Sequence, residues 1–127
     1  MSLVSRSRRN TFNNALADSS NAVGMCLQQV RTWAGIPSKY PDAISAWYHT
    51  KHRGNIHTPP PPGAFVFWGG GRHGHIAVSL GNWKIRTTDW PRGRVGTTTV
   101  QTLSSRWRYR YLGWSYDLNG VTISDWT

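Results

Sequence analysis

Four consecutive prolines, Pro59 to Pro62, constrain this chain more than any other feature. Proline fixes φ and lacks a backbone N–H, so neither a helix nor an interior strand runs through such a segment. The run is forced into an extended polyproline conformation. It competes as an SH3-type ligand, but it reads better as a stiff lead-in to the apolar strand Ala64-Phe65-Val66-Phe67-Trp68. Before it, apolar residues recur with helical spacing. After it, they recur with strand spacing. Helices first and an antiparallel sheet second is the signature of an α+β domain.

The clearest helix carries Val23, Leu27, Val30 and Ala34 on one stripe, with Cys26 and Trp33 beside it. Ser19-Ser20-Asn21 offers N-cap chemistry ahead of it. Gly35, Ile36 and Pro37 supply a left-handed cap, an apolar residue and a breaker. Residues 1–18 are weakly patterned and read as a loose arm or a short helix. Pro41-Asp42 opens a shorter helix with Ile44, Trp47 and Tyr48 on one side.

Beyond the prolines, Gly69-Gly70-Gly71 is a permissive loop. A hairpin follows from His75 to Thr88, turning at Gly81-Asn82. With a two-residue turn, Ile76, Val78 and Leu80 share a face with Trp83, Ile85 and Thr87. Val95 to Leu103 reads as a Thr-rich strand, Trp107 to Trp114 as another, and the tail from Val121 as a last short one. No repeat and no linker divides the 127 residues, which suit one domain.

Eight Trp, five Tyr and three Phe compensate for sparse aliphatics in building a core. No apolar run approaches the ~20 residues of a membrane helix. The basic N-terminus lacks the apolar segment of a secretory signal, so synthesis in a cytoplasm is expected. Net charge is +10, which favours an anionic partner such as nucleic acid, an acidic membrane face or a wall polymer. There is no Glu, and Asp18, Asp42, Asp89, Asp117 and Asp125 form no evident pair. That argues against a glycosidase, which needs two flanking carboxyl groups. Asp117-Leu118-Asn119-Gly120 lacks the later acidic ligand of a calcium loop and reads as a turn.

The remaining chemistry lies in the single cysteine, Cys26, near a helix start, and in His75 at the mouth of a strand. Taken singly, a lone helical cysteine is a small core hydrophobe and a lone histidine is structural. Taken together, they are the minimal equipment of a cysteine nucleophile with its proton acceptor. A helix N-terminus and a neighbouring imidazolium lower a thiol pKa, and backbone N–H groups there face a developing oxyanion.

Gly24-Met25-Cys26 opening a helix and Gly74-His75-Ile76-Ala77-Val78 opening a strand resemble the signature blocks of the CHAP family. These are cysteine, histidine-dependent amidohydrolases/peptidases related to the NlpC-type papain-like peptidases. Thr88-Asp89-Trp90 is similar to the family's third block. The likeness spans roughly Ser20 to Trp114. Met25, Ala64 and Thr87 depart from it, standing where Gln, an acidic residue and Glu are common.

The resemblance implies a papain-like fold with the nucleophile at a helix N-terminus. It implies amide cleavage in bacterial peptidoglycan, as by the catalytic module of a phage endolysin. Cys26 would be the nucleophile, His75 the base and acid, and Asp89 the residue orienting the ring, with Thr88 as the alternative. The bond could be that of an N-acetylmuramoyl-L-alanine amidase or of an endopeptidase. The expectation is a monomer that uses no cofactor and no metal, acts on the wall without membrane insertion, and binds anionic polymers non-specifically.

Periodicity bears on the third residue. A two-residue turn pairs His75 with Thr88. A three-residue loop places Asp89 opposite His75 but puts Arg86 opposite Val78. Two rival functions also stand: a zinc peptidase using His73 and His75 on one strand face, and a nucleic-acid-binding module. In the latter, Arg106, Arg108 and Arg110 alternate with Trp107, Tyr109 and Tyr111. Trp68, Trp83 and Trp90 are candidates for a groove lining.

Overall fold

The computed structural model of the chain describes residues 7–20 and 25–127, so expectations resting on Asn21, Val23 and Gly24 lie outside the described residues. Its architecture is α+β, with helices and an antiparallel sheet. Helices α1 (Arg8–Ala17), α2 (Cys26–Ala34) and α3 (Ala43–Tyr48) precede strands β1 (Phe65–Gly69), β2 (His75–Gly81), β3 (Lys84–Thr87) and β4 (Gly96–Thr99). Then come α4 (Val100–Trp107), β5 (Arg110–Ser115) and the short pair β6 (Asp117–Leu118) and β7 (Val121–Thr122). The five-stranded sheet has the order β4-β3-β2-β1-β5, and every pairing is antiparallel.

The N-terminal stretch takes the helical option. Ser7 caps α1 by accepting the Asn10 N–H at 3.1 Å. Arg8 ties the helix down, donating to the carbonyls of Pro62 and Ser124. Helix α2 buries Leu27, Val30, Trp33 and Ala34. It ends as the sequence suggests, with Gly35 left-handed (φ 68) and the Ile36 N–H bonded back to Arg31 at 2.9 Å. Its start differs. The N-cap is Met25, without a side-chain cap, and not Ser19 or Ser20. Asp42 caps α3 as expected, but Tyr48 turns outward and is 71% exposed. In six residues the helix buries Ala43, Ala46 and Trp47 instead.

The prolines lead into the sheet by a Pro61-Pro62-Gly63-Ala64 turn closed by Ala64 N–H to the Pro61 carbonyl at 3.1 Å. Strand β1 starts one residue later than the apolar run suggests and is covered on both faces. Phe65 and Phe67 join Ile76 and Val78 in the core beneath the first three helices. Val66 and Trp68 join Ala77, Ile85 and Leu103 of α4 in the core on the other face. Each large side chain buried this way contributes about 1.5–3 kcal/mol.

Two expectations for the sheet are corrected. The hairpin does not turn at Gly81-Asn82: Asn82 and Trp83 are the central residues, both with positive φ (54 and 64), and Gly81 pairs with Lys84. A register shift between Ser79 and Gly81 then pairs Ser79 with Ile85 and Val78 with Arg86. One residue of slip reverses the faces of a strand. Ile85 and Thr87 therefore share a face with His75 and Ala77, not with Ile76 and Val78. Arg86 is sent beneath the helices, where its guanidinium donates to the carbonyls of Ala15 (3.0 Å) and Asp18 (2.7 Å) and to the Thr97 hydroxyl.

The second correction concerns Val95 to Leu103. The strand stops at Thr99, whose hydroxyl accepts the Thr102 N–H at 3.0 Å and caps α4. Val100 and Leu103, three residues apart, form the buried stripe of that helix. Arg106 and Trp107 lie in α4, and Arg108 is its left-handed cap (φ 57). The alternating strand of arginines and aromatics is therefore broken, and β5 begins only at Arg110.

Candidate active site

Cys26 is the first residue of α2, and the start of that helix carries no side-chain cap. Its thiol instead meets the backbone N–H groups of Leu27 and of Ile76, the second residue of β2. The helix N-terminus is thereby set against the beginning of the His75 strand. Gly74, just before His75, has φ 70, and a Cβ there would lie 2.8 Å from the Trp68 carbonyl oxygen and 3.1 Å from Ile44 of α3.

Cys26, His75 and Asp89 line one cavity of about 420 Å³. Trp107 and Tyr109 also line it, and Arg72 and Arg92 stand at it as cations. A second cavity, of about 430 Å³, adjoins Cys26 from the side of Arg31, Tyr40 and Asp42. Cys26 and His73 line both, so the thiol sits between two openings.

The hydrogen bond of the His75 ring goes to Thr87, with Nε2 to Oγ1 at 2.6 Å. Both residues are buried. Trp107 meets the imidazole edge-on at 4.8 Å between centroids, and Trp68 lies at 5.6 Å. In the sequence, Thr87 stands out only as a departure from the family pattern, where Glu is common. The shifted hairpin register brings it to the face that carries His75.

Asp89 acts on the thiol, whereas the ring's hydrogen bond is to Thr87. Strand β3 ends at Thr87, and the chain leaves the sheet with Asp89 left-handed (φ 59). Its Oδ1 accepts the Gly93 N–H at 3.2 Å. Thr88, the alternative, has a buried hydroxyl without a hydrogen-bond partner.

The electrostatics favour neutral partners. Burial pushes the Cys26 thiol above its ordinary 9.0, against the pull of the Ile76 and Leu27 N–H groups, and the Asp89 carboxylate adds to the rise. Burial also holds the His75 imidazole down, to about 3. At neutral pH the cavity is lined by a thiol and an uncharged imidazole rather than by an ion pair.

The other sequence candidates are dispersed. His73 lies in the loop before β2, not on the strand with His75, and its Nδ1 contacts Asp42 at 2.9 Å. Among the described residues no group of three or more His, Cys, Asp or Glu could hold a metal ion. Trp68 is wholly buried, its indole N–H bonded to Ser104. Trp83 lines a separate cavity with Tyr111, and Trp90 packs on Trp107 at 6.1 Å. The aromatics at the thiol cavity, Trp107 and Tyr109, come from the segment whose helix the sequence did not reveal. No helix among the described residues is long and apolar enough to cross a membrane. No protein-family model, curated protein or solved structure matches the chain.

Proposed function

We propose that this chain is a papain-like cysteine hydrolase that cleaves an amide bond of bacterial peptidoglycan, acting as a phage endolysin module does. The observation that carries the reading is the shared cavity. A cysteine at the first residue of a helix and a histidine at the first residue of a strand, far apart in sequence, line the same opening. The helix packs against β2, the central strand of the sheet.

In this reading His75 takes the Cys26 proton as sulfur attacks the scissile carbonyl carbon. The S–C bond forms and the carbonyl electrons move to oxygen. Collapse expels the amine, which recovers the proton from the imidazolium and leaves a thioester. Water, deprotonated by His75, then releases the acid and the thiol. The helix N-terminus supplies N–H dipoles for the negative charge that develops. Openings on both sides of the thiol suit a substrate that continues past the bond in both directions. Arg72, Arg92 and the net charge of +10 hold the enzyme on an anionic wall.

Mass spectrometry of material released from defined walls tests this. Wild type releases muropeptides, and thiol alkylation stops it while a chelator does not. Cys26→Ala releases none yet binds walls equally. Release by Cys26→Ala, or none by wild type, overturns the proposal.

A further inference from the structure

We infer that Thr87 is the positioning residue that locks the His75 ring in one tautomer, leaving Nδ1 as the bare nitrogen that receives the Cys26 proton. The inference rests on the hydrolase reading for the proton's use, but not for the tautomer itself.

The argument is a count of hydrogens. A threonine hydroxyl has one proton to donate and lone pairs to accept with. Thr87 Oγ1 makes two contacts. One, at 3.1 Å, is to the backbone carbonyl of Thr88, which has no proton and accepts only. The other, at 2.6 Å, is to His75 Nε2. Both bonds form together only if the hydroxyl donates to the carbonyl and accepts from Nε2–H. The opposite assignment, with the hydroxyl donating to the ring, would strip the Thr88 carbonyl of that bond in a residue only 1% exposed. Buried carbonyls left without a partner are rare because they are costly. A neutral imidazole carries one N–H, so if it sits on Nε2 then Nδ1 is the free acceptor. Asp89 does not enter this count, because the ring's hydrogen bond is to Thr87.

In the reaction the S–H bond breaks and the Nδ1–H bond forms. The resulting imidazolium keeps Nε2–H on Thr87, so the ring does not reorient between accepting the proton and returning it to the leaving amine.

Long-range ¹H–¹⁵N spectroscopy of the imidazole at neutral pH reads the tautomer directly in wild-type protein. His75 protonated at Nε2 is expected, in wild type and in Thr87→Ser, whose hydroxyl is kept. Thr87→Val leaves a mixture of tautomers, and its kcat falls by up to about 100-fold, the lower end of what a positioned acid–base group contributes, with KM unchanged and Thr87→Ser restoring it. A purely structural Thr87 would lower stability without moving the nitrogen signals. Wild-type His75 protonated at Nδ1 overturns the inference, even if Thr87→Val does not fold. The Nε2–H tautomer in a protein that releases nothing from walls refutes the hydrolase reading and leaves the tautomer assignment standing.

Discussion

Acidification should destabilise this protein through His75. The imidazole is 4% exposed, and burial lowers its pKa to about 3, against an unfolded value of 6.5. Below 6.5 the unfolded chain binds a proton that the folded chain refuses. Stability is therefore complete above pH 6.5, is lost as pH falls from there, and levels off near pH 3. Each pKa unit is worth 1.36 kcal/mol, so His75 alone costs roughly 3 kcal/mol at pH 4.5 and about 5 kcal/mol once the pH is well below 3. The second figure equals the whole stability of a marginal domain. Two acids with shifted pKa values do not interfere. Hydrogen bonds to Ser20 and Trp33, outweighing burial, hold the Asp18 carboxyl below 3.8. Bonds from Ser45 and His73 do the same for Asp42, so both act only at lower pH. Urea unfolding followed by tryptophan fluorescence between pH 7.5 and 4.5, on wild type and His75→Asn, isolates the effect. The difference between the two curves should shrink by roughly 3 kcal/mol over that range, because only wild type pays the proton penalty. Parallel curves would refute the reasoning, since the folded imidazole would then titrate as it does in water.

The thiol should behave as an acid weaker than a free cysteine. Alkylation of Cys26 by iodoacetamide is expected to be slow at pH 7 and to keep rising above pH 9, without the acid limb of a thiolate–imidazolium pair. Asp89→Asn removes a like charge and should speed alkylation at pH 8 by less than about tenfold, since one pKa unit is a tenfold change in thiolate. Arg86→Met removes the guanidinium's hydrogen bonds to the Ala15 and Asp18 carbonyls and should cost about 1.5–3 kcal/mol in urea unfolding, the range for hydrogen bonds to a charged group. Wall binding by Cys26→Ala, followed by sedimentation, should weaken between low salt and 0.15 M, where charges beyond ~8 Å are screened.

Where local chemistry decides an element, the sequence was legible. Asp42 before Ala43, and Gly35-Ile36 after Ala34, mark helix ends because a side-chain oxygen and a left-handed glycine satisfy backbone groups there. The prolines and the apolar run after them placed β1 to within a residue. The segment after Gly96 was misread for a physical reason. Thr97 to Thr99 are β-branched and form a strand, but the third of these threonines is also a helix cap. Leu103 is three residues beyond Val100, which strand alternation cannot distinguish from helical spacing over so short a window. At the site, motif and spacing led to Cys26, His75 and Asp89, which do line one cavity. They mark Thr87 only as a departure from the family pattern, and its relation to His75 depends on a register that the sequence leaves open.

That register joins the fold to the site. Glycine at position 81 suggests the turn itself, because glycine takes positive φ freely. The chain instead places Gly81 (φ 85) beside the bulge and gives the turn to Asn82 and Trp83. A bulky residue with positive φ is strained, so something must favour this register over the simpler one. Two contacts do. The slip moves Arg86 under α1, where its guanidinium satisfies the last carbonyls of the helix and the turn after it. It also turns Thr87 toward His75. In the unshifted register the guanidinium would lose both carbonyls, and the buried ring would face Thr88 or solvent. The same residue of slip thus anchors the N-terminal helix and sets the imidazole. Disfavouring the observed turn, by Trp83→Val, whose β-branched side chain resists the positive φ at that position, should therefore raise Arg86 exposure and shift the His75 ring signals together. If one moved without the other, the two contacts would not share a cause.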